Sequence, residues 1–143
     1  MNVKLLIVDD KKETLVTLKR HLSLREVDTI AAETSANALK IIENDKINIV
    51  LLDINMPGMT GTELLRRIKK IDFSIQVIMM TEYSRFANLS QFLEMGAVDY
   101  ILKPFDNLDE VFDWINESTR RLMRWRKILM ESVKLQREKR IST

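Results

Sequence analysis

The 143-residue chain contains no cysteine, which excludes disulfides and thiolate zinc sites. Histidine occurs once, as His21, within a helical pattern, where it reads as a surface residue and not as a phosphodonor. Proline and glycine are scarce, two and three residues respectively. The last of them is Pro104, so nothing from Asp106 to about Arg140 interrupts a helix. Long apolar runs are missing too. The N-terminal "MNVKLLIVDD" holds only a short apolar run before two acids, too short for a signal-peptide core or a membrane span. The expectation is a soluble, cytoplasmic protein with no membrane partner. Acids are rare in one place: residues 120–143 carry 9 Lys+Arg against 2 Asp+Glu, whereas residues 1–119 carry 14 against 19. An acidic body thus bears a basic tail, and the two parts read separately.

The remaining composition, 45% apolar and 31% charged, is that of an ordinary globular chain, and the length suits one domain with a sizeable core. Five short apolar runs recur: Lys4–Val8, Val27–Ala32, Ile47–Leu52, Ile75–Met80 and Val98–Leu102. Three are nearly continuous hydrophobics, as central parallel strands covered on both faces should be. "VDTIAA" alternates weakly and suits a sheet edge. Between the runs lie helical spacings: Leu15, Leu18 and Leu22; Ala38, Ile41 and Ile42, with Ser35 as N-cap; Leu64, Leu65 and Ile68; Leu89, Phe92 and Leu93, closing on Gly96. "RRIKK" at 66–70 reads as a solvated helix end. Strand and helix alternate five times, which predicts a parallel α/β sheet with right-handed crossovers.

Ligands of such sheets bind beyond the carboxyl ends of the strands. Those ends carry Asp9 and Asp10, then Asp53, then Thr81, then Lys103 before Pro104. Each alone has a plainer reading: a helix cap, a solvated helix start, a turn. Together they fall at one edge with compatible chemistry. Three gathered carboxylates repel one another unless a cation sits among them. With no His or Cys nearby, a hard cation is favoured, and Mg²⁺ fits best. Asp53 stands alone on the middle strand and is the natural nucleophile for an aspartyl-phosphate. Lys103 and Thr81 can bind phosphoryl oxygens as ammonium and hydroxyl donors.

The ordered motifs "VDD" at 8–10, "LLDINMPGMTG" at 51–61, "MT" at 80–81 and "GAVDYILKPF" at 96–105 give residues 1 to about 119 a specific resemblance to the receiver domain of two-component response regulators. The resemblance implies a flavodoxin-like (βα)5 fold with sheet order 2-1-3-4-5. It implies that Asp53 accepts a phosphoryl group from a phosphohistidine on a sensor histidine kinase or phosphotransfer protein. Asp10, Asp53 and the backbone carbonyl of Asn55 would ligate Mg²⁺, with Asp9 acting through water. Lys103 would pair with the phosphoryl group, and the Lys103–Pro104 bond would be cis. Thr81 would move toward the phosphoryl oxygen and Tyr100 would rotate inward behind it. One position departs from the pattern. After the switch Thr the family usually has Ala or Gly, and here stands Glu82. Such a carboxylate either crowds the phosphoryl group or faces solvent, and altered rates of phosphorylation or dephosphorylation are expected.

The implied activity is a phosphorelay signalling switch, limited to self-phosphorylation from a donor and slow self-dephosphorylation, that signals to a downstream protein target. Phosphatases with an Asp nucleophile usually carry a second acid two residues on, where this chain has Asn55. A pseudo-receiver would not keep Asp9, Asp10, Asp53, Thr81 and Lys103 together. The tail at 120–143 is set apart as a basic extension of the last helix, its apolar spacing continuing through Leu122, Trp125, Leu129 and Val133. It reads as a homodimer contact, as a basic face for nucleic acid or an acidic partner, or as a linker to an effector domain. No helix-turn-helix follows, which makes direct nucleic-acid binding the weaker reading.

Overall fold

The structure, a computed structural model, describes residues 3–82, 89–105 and 107–142, with the backbone alone for Leu89. Ten elements follow one another: β1 Lys4–Val8, α1 Lys12–Leu24, β2 Asp28–Ala32, α2 Ser35–Asn44, β3 Ile49–Asp53, α3 Gly61–Ile71, β4 Gln76–Glu82, α4 Leu89–Glu94, β5 Ala97–Lys103 and α5 Leu108–Ile141. All four strand pairings are parallel, and the sheet runs β2-β1-β3-β4-β5. This is the flavodoxin-like order, with β2 at an edge as its weak alternation implies.

The apolar runs sort by side-chain alternation. Leu6, Val8, Val50, Leu52, Val77 and Met79 point to the face covered by α2, α3 and α4, where Ala38, Ile42, Leu64, Leu65, Ile68 and Phe92 meet them. Leu5, Ile7, Ile49, Leu51, Ile78 and Met80 point to α1 and α5, against Leu15, Leu18, Leu22, Val111 and Ile115. Both faces are covered, which is why the inner stretches Leu5–Val8, Ile49–Leu52 and Val77–Met80 are apolar throughout. Each such buried side chain stabilises the fold by about 1.5–3 kcal/mol relative to exposure.

Several expected details differ. β3, β4 and β5 include Asp53, Thr81 and Lys103 rather than stopping before them, because pairing continues through Asp53↔Met80, Thr81↔Leu102 and Glu82↔Lys103. Val27 precedes β2 because its N–H turns back to the Leu22 carbonyl at the end of α1. Thr34, not Ser35, caps α2, its side chain accepting from the Asn37 N–H at 3.1 Å. Leu93 is exposed, and Phe92 anchors α4. The expected start of that helix at 85–88, the Leu89 side chain and Asp106 lie outside the described residues. His21 is half-buried, with Nε2 3.3 Å from Asp109 Oδ1 between α1 and α5. Lys69 is not simply solvated: its ammonium donates to the carbonyls of Phe73 and Ile75 at 3.2 and 2.6 Å, and burial pushes its pKa down.

α5 runs 34 residues without a break. Asn107 caps it by accepting from the Asp109 N–H at 2.9 Å. Val111, Ile115, Ser118 and Leu122 are covered by the body. At the foot of the helix the fully buried Gln76 donates to the Ser118 carbonyl at 2.7 Å and accepts from Arg121 at 3.1 Å. Beyond Leu122 the apolar residues are exposed. Among the described residues no helix is long and apolar enough to cross a membrane.

Candidate phosphoacceptor site

The carboxyl ends of β1, β3, β4 and β5 bring the sequence-predicted residues to one edge. Asp9, Asp53, Thr81 and Lys103 are buried there, and Asp10 is exposed beside them. One carboxylate oxygen from each of Asp9, Asp10 and Asp53 lies within 4.8 Å of the others. From the end of β5 the Lys103 ammonium reaches past β4 to ion-pair with Asp9 and stands 3.6 Å from Asp53 Oδ2. The Lys103–Pro104 peptide is cis, as the resemblance implies.

Local backbone sets each acid. Asp9 Oδ1 accepts the Lys11 N–H at 2.9 Å, fixing the turn into α1. Asp53 Oδ1 accepts the Asn55 N–H at 3.1 Å, leaving its other oxygen toward Lys103. The loop that follows bends at Gly58, whose φ of +89° suits glycine. It closes at Gly61, where a Cβ would meet Ile54 Cα at 3.0 Å. Burial pushes the Asp53 carboxyl above its usual range; Lys103 and the Asn55 N–H oppose that, and Asp9 and Asp10 add to it. The buried charge therefore lacks full compensation. An all-oxygen cluster of three acids fits a hard divalent cation such as Mg²⁺.

Around this cluster, the Thr81 hydroxyl is buried and donates weakly to the Glu82 carbonyl at 3.3 Å. Tyr100 packs its ring 5.9 Å from that of Phe92, and its buried hydroxyl has no hydrogen-bond partner among the described residues. Tyr100, Lys103, Pro104, Val111 and Trp114 help line a cleft of about 560 Å³ between β5 and α5. Sequence reasoning missed one contact. Glu82 neither hangs free nor stands alone: its Oε1 lies 3.4 Å from Lys11 Nζ. The signal was a lysine directly after "DD", but only the fold shows that it faces the end of β4.

The sequence profile of the response regulator receiver domain matches residues 5–116. The chain belongs to this receiver-domain family. Sporulation initiation phosphotransferase F of Bacillus subtilis (strain 168) is 38% identical over 117 residues, 82% of this receiver chain and 94% of its own. Heme response regulator HssR of Staphylococcus haemolyticus (strain JCSC1435) is 33% identical over 110 residues, 77% of this chain, which spans 49% of that relative's length. The crystal structure of a CheY-like response regulator receiver domain protein from Methanospirillum hungatei JF-1 superposes with a TM-score of 0.82 at 33% identity. It covers 87% of this chain and 98% of its own. This receiver is thus part of the two-component signalling machinery, in a fold shared with its relatives.

Proposed function

We propose that Asp53 of this receiver takes a phosphoryl group from a phosphohistidine on a sensor histidine kinase or phosphotransfer protein. The observation that carries the reading is the meeting of Asp9, Asp10 and Asp53 with Lys103 and Thr81 at one sheet edge. In the transfer, an Asp53 oxygen forms the new P–O bond as the P–N bond to imidazole breaks, and the imidazole takes up a proton. Lys103 offers its ammonium, and Thr81 its hydroxyl, to the phosphoryl oxygens. Asp10, Asp53 and the Asn55 carbonyl would hold Mg²⁺, with Asp9 acting through water. When bound, the ion supplies positive charge opposite the phosphoryl oxygens. Water attack on the acyl phosphate returns the carboxylate and releases phosphate, so the protein acts on itself and is a cytoplasmic signalling switch rather than a metabolic enzyme.

Thr81 and Tyr100 form the proposed switch, linking the phosphoryl site to the β5–α5 cleft where a protein target would read it. The body 1–119 carries this function, and 120–143 serves as a separate element. The half-length match to a heme response regulator favours a second reading, a receiver piece of a longer regulator with DNA-binding or enzymatic output. The phosphoacceptor claim is tested by intact-mass measurement after incubation with Mg²⁺ and a small phosphodonor. One phosphoryl adduct is expected on the native chain and none on Asp53→Asn. No adduct on the native chain, or an equal adduct on the variant, would overturn it.

A further inference from the structure

The covered stripe of α5 is Val111, Ile115, Ser118 and Leu122, at steps of four, three and four. The same helical line continues through Trp125, Leu129 and Val133, which are 40%, 65% and 48% exposed. Sharing a line with the covered residues, they face the side on which the body lies. A flat surface approaching that side meets the body first. A single helix, by contrast, fits in the angle between extension and body.

The stripe is symmetrical about Leu129. Trp125 and Val133 stand four residues to either side. Two extensions laid antiparallel with Leu129 opposite Leu129 therefore place Trp125 against Val133, a large ring against a small side chain, twice over. Parallel pairing would instead set each residue of the stripe against its own kind, ring against ring at Trp125, and lay the two basic segments side by side.

Charge favours the same arrangement. Residues 120–143 carry 9 Lys+Arg against 2 Asp+Glu, and residues 1–119 carry 14 against 19. Antiparallel pairing carries each basic end toward the partner's acidic body. With Leu129 at the centre, the last turn of one copy comes level with Asn116 and Thr119 of the other. There a groove of about 430 Å³ opens, lined by Val3, Val27 and Phe112, by Arg25 over the Phe112 ring, and by the acids Glu26 and Asp28. The exposed Ile141 and the basic residues before it suit such a seat.

We propose that residues 125–141 are a homodimerisation element, pairing antiparallel with the same segment of a second copy about a Leu129–Leu129 contact. Light scattering of the full chain over a concentration series should reach twice the monomer mass. Leu129→Glu, at an exposed position outside the body, should halve that mass and leave the circular dichroism unchanged. The absence of native cysteine makes single-cysteine crosslinking clean. Leu129→Cys should form an intermolecular disulfide. Gln136→Cys should not, since antiparallel pairing sets the two positions about 21 Å apart along the axis, beyond the roughly 7 Å a disulfide spans. A monomer at every concentration, a dimer indifferent to Leu129→Glu, or ready crosslinking at position 136 would each overturn the proposal.

Discussion

Lys11 Nζ and Glu82 Oε1 stand 3.4 Å apart, joining the loop after β1 to the last residue of β4. Both side chains are more than half exposed, and the pair raises the Lys11 pKa through its hydrogen bond and charge. It sits at the rim of the acid cluster without being part of it. Glu82→Ala removes a negative charge from the path of an anionic phosphodonor. The rate of phosphorylation by a small donor is expected to rise about two- to fivefold, the range an exposed charge supplies. Stopped-flow fluorescence or timed mass measurements check this. Equal rates of gain and loss in Glu82→Ala and the native chain would remove any role for Glu82.

Asp53 gives a pH dependence with a definite sign. Its folded pKa is raised above the ordinary 3.8, first by burial. Between those two values the folded state binds the proton more tightly, so stability falls as pH rises through the window. At neutral pH without Mg²⁺ the ionised carboxylate therefore opposes folding. Asp53→Asn is expected to melt at a higher temperature than the native chain in EDTA at pH 7, with the gap closing as pH falls toward 3.8. Mg²⁺ should raise the native melting temperature and leave the variant nearly unmoved. Thermal melts at several pH values, with and without the ion, decide it.

Gln76 is fully buried and ties β4 to α5 through Ser118 and Arg121. Gln76→Leu keeps the volume and leaves the Ser118 carbonyl and the Arg121 guanidinium without that partner. A loss of about 1–3 kcal/mol is expected. Hydrogen exchange should quicken selectively around residues 118–122. A melt unchanged within error would mean that water takes over both bonds.

Gly61 leaves no room for a side chain, because the obstacle at 3.0 Å is the Ile54 backbone. Gly61→Ala must push the start of α3 away from the loop that carries Asn55. A cost of about 1–3 kcal/mol is expected, together with weaker Mg²⁺-dependent stabilisation. Chemical denaturation with and without Mg²⁺ measures both.

The fold was legible because burial on both faces forces continuous apolar strands, and Leu5–Val8 and Ile49–Leu52 could be little else. The gathering of Asp9, Asp10, Asp53 and Lys103 was legible because these residues stand at strand ends, where order along the chain becomes nearness in space. What escaped reading were pairings between elements. Gln76 is a lone polar residue beside an apolar run, and nothing local names Ser118 as its partner. Lys69 sits in a basic cluster typical of solvated helix ends, yet it turns inward to carbonyls that only the α3–β4 loop places there. Ser35 and Thr34 are equally good caps by type; backbone geometry alone chose between them.

The unbroken α5 also acts as a lever. Its upper half shares the cleft with Tyr100 and Lys103, and its lower half stands clear of the body. Residues 123–141 make an arm of about 28 Å, so a tilt of about 5° at the foot sweeps the tip by roughly 2.5 Å. A displacement beside Tyr100 too small to alter any surface contact there would arrive at the far end as a change in reach.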